Sequence, residues 1–173
     1  LARLNDTSER SLKEIRADMS PAEKERLYVR ALYGSARALS LNAENKSVKI
    51  QYDLAREPLK AIVDDIVATA YELKTKDQFT NALKQADRIK SINVQTLDSF
   101  KREEEDLRFT LLYDWALGLE RNRRYALALE KIEAAPVVPH TDAAIQARKR
   151  IATAWRTPAP VARVAARPAP KPQ

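Results

Sequence analysis

An all-α fold of antiparallel helical hairpins, stacked as a small solenoid or an irregular bundle and followed by an extended C-terminal tail, is predicted by three observations. Glycine occurs only at Gly34 and Gly118 in 173 residues, whereas a fold built on tight β-turns needs many residues that tolerate positive φ. Helix-start signals recur along the chain. Between them, apolar residues return at spacings of three and four. The chain is long enough for one domain of roughly 150 residues with a sizeable core.

Asp6 with Glu9 has capping-box spacing before Leu12 and Ile15, which predicts a short N-terminal helix or arm over residues 1–19. The main domain, residues 20–156, opens on Ser20-Pro21-Ala22-Glu23, where proline at the first helical position joins a second capping box. Leu27, Ala31, Leu32, Ser35, Ala38 and Leu39 then form one helical stripe, closed by Asn42 and Asn45. Ser47 is placed to cap a segment from Val48 to Arg56. Pro58 either starts a new helix or kinks a continuing one after Glu57.

Leu59, Ile62, Val63, Ile66, Ala70 and Leu73 extend an apolar face to Thr75, and Asp77 opens a partner helix through Phe79, Ala82, Leu83, Ala86 and Ile89. Thr96 is placed to cap a long helix running to Arg121, where Asn122 breaks it. A partner helix follows from Arg123 to Ala135. Pro136 to Pro139 stop it, and Thr141 caps a last helix ending near Trp155. The expected count is eight helices.

Residues 157–173 hold Pro158, Pro160, Pro168, Pro170 and Pro172 among alanines, valines and three cations. That composition predicts an extended, polyproline-like tail acting as a semi-rigid spacer, a docked peptide or a basic arm. Charge is equally uneven. Arg148, Lys149, Arg150, Arg156, Arg163, Arg167 and Lys171 meet no acid after Asp142 and equal the whole net charge of +7, so residues 1–142 are neutral. An anionic partner is therefore expected at those seven side chains.

Leu112, Trp115, Ala116, Leu119, Tyr125, Ala128, Ile132 and Ala135 resemble the spacing of a tetratricopeptide-repeat hairpin, with alanines where two helices touch. Leu73, Phe79, Ala82 and Leu83 echo Leu119, Tyr125, Ala128 and Leu129 at a distance of 46 residues, against a family period of about 34. The resemblance covers about residues 58–139 and implies hairpins that bury their apolar faces by stacking. A plain helical bundle with alanines at close contacts is the alternative.

Chemistry is sparsely signalled. Glu103, Glu104, Glu105 and Asp106 are flanked by Lys101, Arg102 and Arg108 and read as a solvated, neutralised helix face. His140, the single histidine, follows Pro139 in a loop, so no nucleophile-base pair is apparent. Two isolated glycines make no phosphate-cradling loop. The expectation is a protein without catalytic, cofactor-binding or metal residues.

It is expected to serve as a protein-protein interaction scaffold within a larger assembly. Tyr71, Tyr113, Arg121, Arg123 and Arg124 are the partner-binding candidates. The competing expectation is an accessory protein that grips nucleic acid or an anionic surface through residues 143–173. No run of about 20 apolar residues is present, so an integral membrane protein is not expected. A chain without cysteine, beginning at Leu1 and ending in Pro, Ala and Lys, suggests an exported or bacterial envelope-associated protein rather than a cytoplasmic one.

Overall fold

The computed structural model describes residues 2–136 and 142–157. His140, Thr141, Arg163, Arg167, Lys171 and the tail from 158 onward lie outside the described residues. Among those described are seven α-helices: α1 (Ala2–Glu14), α2 (Pro21–Leu41), α3 (Lys46–Thr75), α4 (Phe79–Gln95), α5 (Lys101–Arg121), α6 (Tyr125–Glu133) and α7 (Asp142–Arg156).

The count is seven rather than eight because α3 runs through Pro58. A helical proline leaves the carbonyl four residues earlier without its donor. Here that residue is Leu54, on the exposed side of α3. The resulting helix of 30 residues is about 45 Å long.

The predicted start of α2 holds in full. Ser20 Oγ accepts from the Glu23 amide, and the Glu23 carboxylate accepts from the Ser20 amide at 2.9 Å. Other caps differ from expectation. Asp6 and Glu9 lie inside α1, which already begins at Ala2, so their spacing marks no helix start. Asn45 rather than Ser47 caps α3, its Oδ1 accepting from the Val48 amide at 3.2 Å. Thr96 ends α4 instead of opening α5; its hydroxyl donates back to the Ile92 carbonyl at 2.8 Å, and α5 starts only at Lys101.

Asp77 and Arg123 also precede their expected helices. Each is the turn residue at positive φ, 57° and 58°, that ends the helix before it. The two turns are copies. Gln78 N–H donates to Leu73 O and Arg124 N–H to Leu119 O, both at 2.9 Å; Asp77 N–H donates to Lys74 O and Arg123 N–H to Glu120 O. This is the paired-bond helix ending that satisfies the last carbonyls by one left-handed residue. The 46-residue echo in the sequence is thus a repeated backbone geometry.

The helices pack in chain order. Each rests on the one before and the one after, with lighter contacts of α1 with α3, α3 with α5, α5 with α7 and α2 with α4. Among the described residues no helix touches one further away in sequence. A closed bundle would bring its first and last helices together, so this is an open stack of hairpins.

Two cores follow from that openness. Leu32, Leu59, Val63, Ile66, Ala82, Ala86, Ile89, Phe100, Leu107 and Leu111 belong to the first, formed by α2 to α5. Ala116, Leu119, Ala128, Ile132, Ala147 and Ile151 form the second, between α5, α6 and α7. α5 joins them by burying its first half in one and its second half in the other. At the N-terminal end α1 is docked on α2. The Ser8 hydroxyl donates to the Ala31 carbonyl at 3.0 Å, and both residues are fully buried.

Candidate interaction groove

Where the α3–α4 hairpin meets α5 and α7, the open stack leaves a recess of about 500 Å³. Its walls carry Lys74 and Asp77 from the first repeated turn, Asp114, Glu120 and Arg121 from α5, and Arg150 from α7. Phe79 and Leu117 supply the apolar part. The hairpins are fastened beside it by Phe79 stacked on Trp115, with centroids 5.6 Å apart and ring planes 3° from parallel. Lys131 of α6 sits over the Trp115 ring at 4.7 Å. These contacts unite the α3–α4 hairpin with the α5–α6 hairpin.

Two ion pairs cross the groove. Lys74 Nζ donates to Asp114 Oδ2 at 2.7 Å, while lying 5.1 Å from the Tyr71 ring. Arg150 donates through Nε and Nη2 to both oxygens of Glu120 at 2.6 and 2.7 Å, the two-pronged geometry that a guanidinium offers a carboxylate. That fork holds the Glu120 carboxyl below its ordinary value of 4.5. Three cations face three carboxylates, so the recess has no net charge. Asp77 and Arg121 are the two charged walls without an ion pair among the described residues.

Of the five partner-binding candidates, Arg121 lines the groove and Tyr71 stands under Lys74 beside it. Tyr113 stacks on Phe109 at 5.7 Å, next to a smaller recess of about 340 Å³ between α5, α6 and α7 lined by Phe109, Ile132 and Ile145. Arg123 and Arg124 are exposed in the α5–α6 turn and do not line the groove.

The anionic-partner candidates are split apart. Arg150 is committed to Glu120, and Arg148 donates to Glu133 at 2.8 Å, so neither presents a free charge. Lys149 and Arg156 are exposed and unpaired among the described residues. Two of the four cations of α7 are thus tied to the helical body, and Lys149 and Arg156 are not. The acidic run on α5 is neutralised as expected, through Lys101 with Glu105, Arg102 with Asp106 and Arg108 with Glu104, all one helical turn apart. Among the described residues no group of three or more histidines and carboxylates is arranged to hold a metal ion, and no helix is long and apolar enough to cross a membrane.

Lys74, Asp114 and Glu120 were not among the candidates. Forty residues separate Lys74 from Asp114, and no local pattern links them.

The Glu120–Arg150 fork makes α7 docking pH-dependent. A carboxylate with a depressed folded-state pKa stabilises the fold above the unfolded value, and that contribution disappears as pH falls through the folded value. Thermal midpoints are therefore expected to drop as pH is lowered from 4.5 into the depressed range. Arg150→Gln should flatten that part of the profile. An unchanged profile in the variant would show that the fork does not hold Glu120.

Comparison with known protein families, curated proteins and solved structures returns no match for the chain.

Proposed function

We propose that this chain is a non-catalytic interaction scaffold that receives a polypeptide segment of another protein in the groove across α3, α5 and α7, as one component of a larger assembly. The observation that carries the reading is the groove itself. It is open, it is walled by successive stacked helices, and it keeps Asp77 and Arg121 unpaired while its remaining charges brace the walls. A polypeptide supplies both a donor for Asp77 and an acceptor for Arg121, and its apolar side chains fit Phe79 and Leu117. The resemblance to tetratricopeptide hairpins supports the same role. The alternative, an anionic partner held by residues 143–173, loses force because Arg148 and Arg150 already serve Glu133 and Glu120. Placement in a bacterial envelope assembly belongs to the proposal on compositional grounds.

The test is co-purification of the tagged full chain from its native host, beside an Asp77→Lys/Arg121→Glu variant that inverts both unpaired charges on exposed positions. Partners held by the wild type are expected to be lost by the variant. Full retention by the variant, with loss on deleting residues 158–173, would reject the groove and move the function to the tail.

A further inference from the structure

The neutral body hides two helix faces of opposite charge. On α2, Arg26, Arg30, Tyr33, Arg37 and Leu41 are all exposed and follow one another at spacings of three and four, which places them in a single stripe. None of the three arginines has an ion pair among the described residues. The neighbouring acids are occupied: Glu23 closes the Ser20 cap and Glu25 receives Arg88 at 2.8 Å, although Glu23 still senses Arg26. On α3 the exposed stripe is Leu54, Glu57, Ala61, Asp65, Ala68 and Glu72. It contains no cation. Asp64 at its margin is taken by Lys60 at 2.6 Å.

We infer that these stripes are the two halves of a self-association interface, the α2 face of one copy docking antiparallel on the α3 face of the next. Charge complementarity selects a second copy, and the spacing sets a register. Reading α2 backwards from Leu41 and α3 forwards from Leu54, Leu41 meets Leu54, Arg37 meets Glu57, Tyr33 covers Ala61 and Arg30 meets Asp65. Arg26 then lies about one turn from Glu72, within reach of its long side chain. Apolar pairs alternate with charged pairs along about 22 Å of helix. The small Ala61 leaves room for the Tyr33 ring, and Leu41, 59% exposed, and Leu54, 58% exposed, supply the apolar end of the contact.

The α3 stripe lies on the side of its helix away from Val48 and Ala55, and the α2 stripe is flanked by the contact of Gly34 with α1. The two stripes are different surfaces of the chain, so the contact is heterologous. The contact is head-to-tail and propagates, or closes into a ring where the rotation allows. This inference goes beyond the proposed scaffold function and does not depend on the groove.

The test uses the full chain and two charge-reversed forms, Arg30→Glu/Arg37→Glu and Glu57→Lys/Asp65→Lys, in sedimentation equilibrium. All four positions are exposed, and circular dichroism checks that each form is folded. At low ionic strength the wild type is expected to rise above its monomer mass of 19.6 kDa with concentration and to return to it in high salt. Each variant alone carries like charges on both stripes and should self-associate at least about tenfold more weakly. Mixed together, the variants are complementary again and should recover association. A wild type that stays monomeric, variants that associate as well as it does, or a mixture that stays monomeric would each overturn the interface. So would a wild type that binds random duplex DNA or anionic vesicles through Arg30 and Arg37 without associating with itself.

Discussion

Phe100→Ala is expected to lower the unfolding free energy by about 3–5 kcal/mol, the cost of emptying a fully packed aromatic site. Phe100 is completely buried just before α5 and belongs to the larger core. The Arg56 guanidinium lies 5.6 Å from its ring centroid. Its backbone N–H donates to Asn93 Oδ1 at 2.8 Å, and Asn93 Nδ2 donates onward to Glu104 at 3.1 Å. Removing the ring therefore opens a cavity and loosens the link that fixes the direction in which α5 leaves α4. Urea denaturation checks the magnitude, since a shift in midpoint at constant slope reports stability alone. A loss of less than about 1 kcal/mol, ordinary for a surface position, would mean that the ring is not the plug that its burial indicates.

The α4–α5 link is also where the residues were hardest to read. Thr96 has the right chemistry to cap a helix, and although Asn93, Asp98 and Ser99 signal a link, no glycine marks where it turns. The chain nonetheless bends there through Leu97 and Asp98, both at positive φ, 53° and 61°. Glycine normally marks such positions because a side chain is disfavoured in the left-handed region. Here Asn93, Thr96 and Phe100 hold the link through buried hydrogen bonds and packing, and tertiary contacts override the local signal. Pro58 lies within α3 and Asp6 within α1, so neither a proline nor a cap-like spacing marks a helix boundary there.

By contrast, the Ser20 cap is local chemistry, complete within four residues, and it was legible. The 46-residue echo of Leu73, Phe79, Ala82 and Leu83 was legible too, but the turns inside it were not, because residues 74–78 and 120–124 share no residue at matching positions. The groove was legible only in part. Arg121 and Tyr71 stood out by residue type, but the ion pairs that brace the walls join helices distant in sequence. Arg148 and Arg150 looked free because their carboxylates, Glu133 and Glu120, lie 15 and 30 residues earlier. Net charge counted along the chain cannot report which charges are already paired across it.

Gly34→Val is expected to destabilise the N-terminal hairpin by about 2–3 kcal/mol, near the upper part of the range for overpacking a close contact. Of the chain's two glycines, Gly34 is the one that stands at a close helix contact. A Cβ added there would stand 3.0 Å from the Leu4 carbonyl oxygen and 3.5 Å from Ser8 Cβ, so α1 must move away from α2. That movement also strains the Ser8 hydrogen bond to Ala31, whose groups are buried and have no water to replace it.

Gly118 is the control, because a Cβ there meets nothing closer than the flexible end of Arg121 at 4.0 Å. Gly118→Ala should therefore stabilise α5 by about 0.5–1 kcal/mol through helix propensity. Hydrogen exchange distinguishes the mechanisms. In Gly34→Val the amides of α1 should lose protection first while those of α6 and α7 keep theirs, since no contact links the two ends of the stack. Uniform loss of protection across all helices would mean that the hairpins unfold as one unit and that the open stack is more cooperative than its chain-order contacts imply.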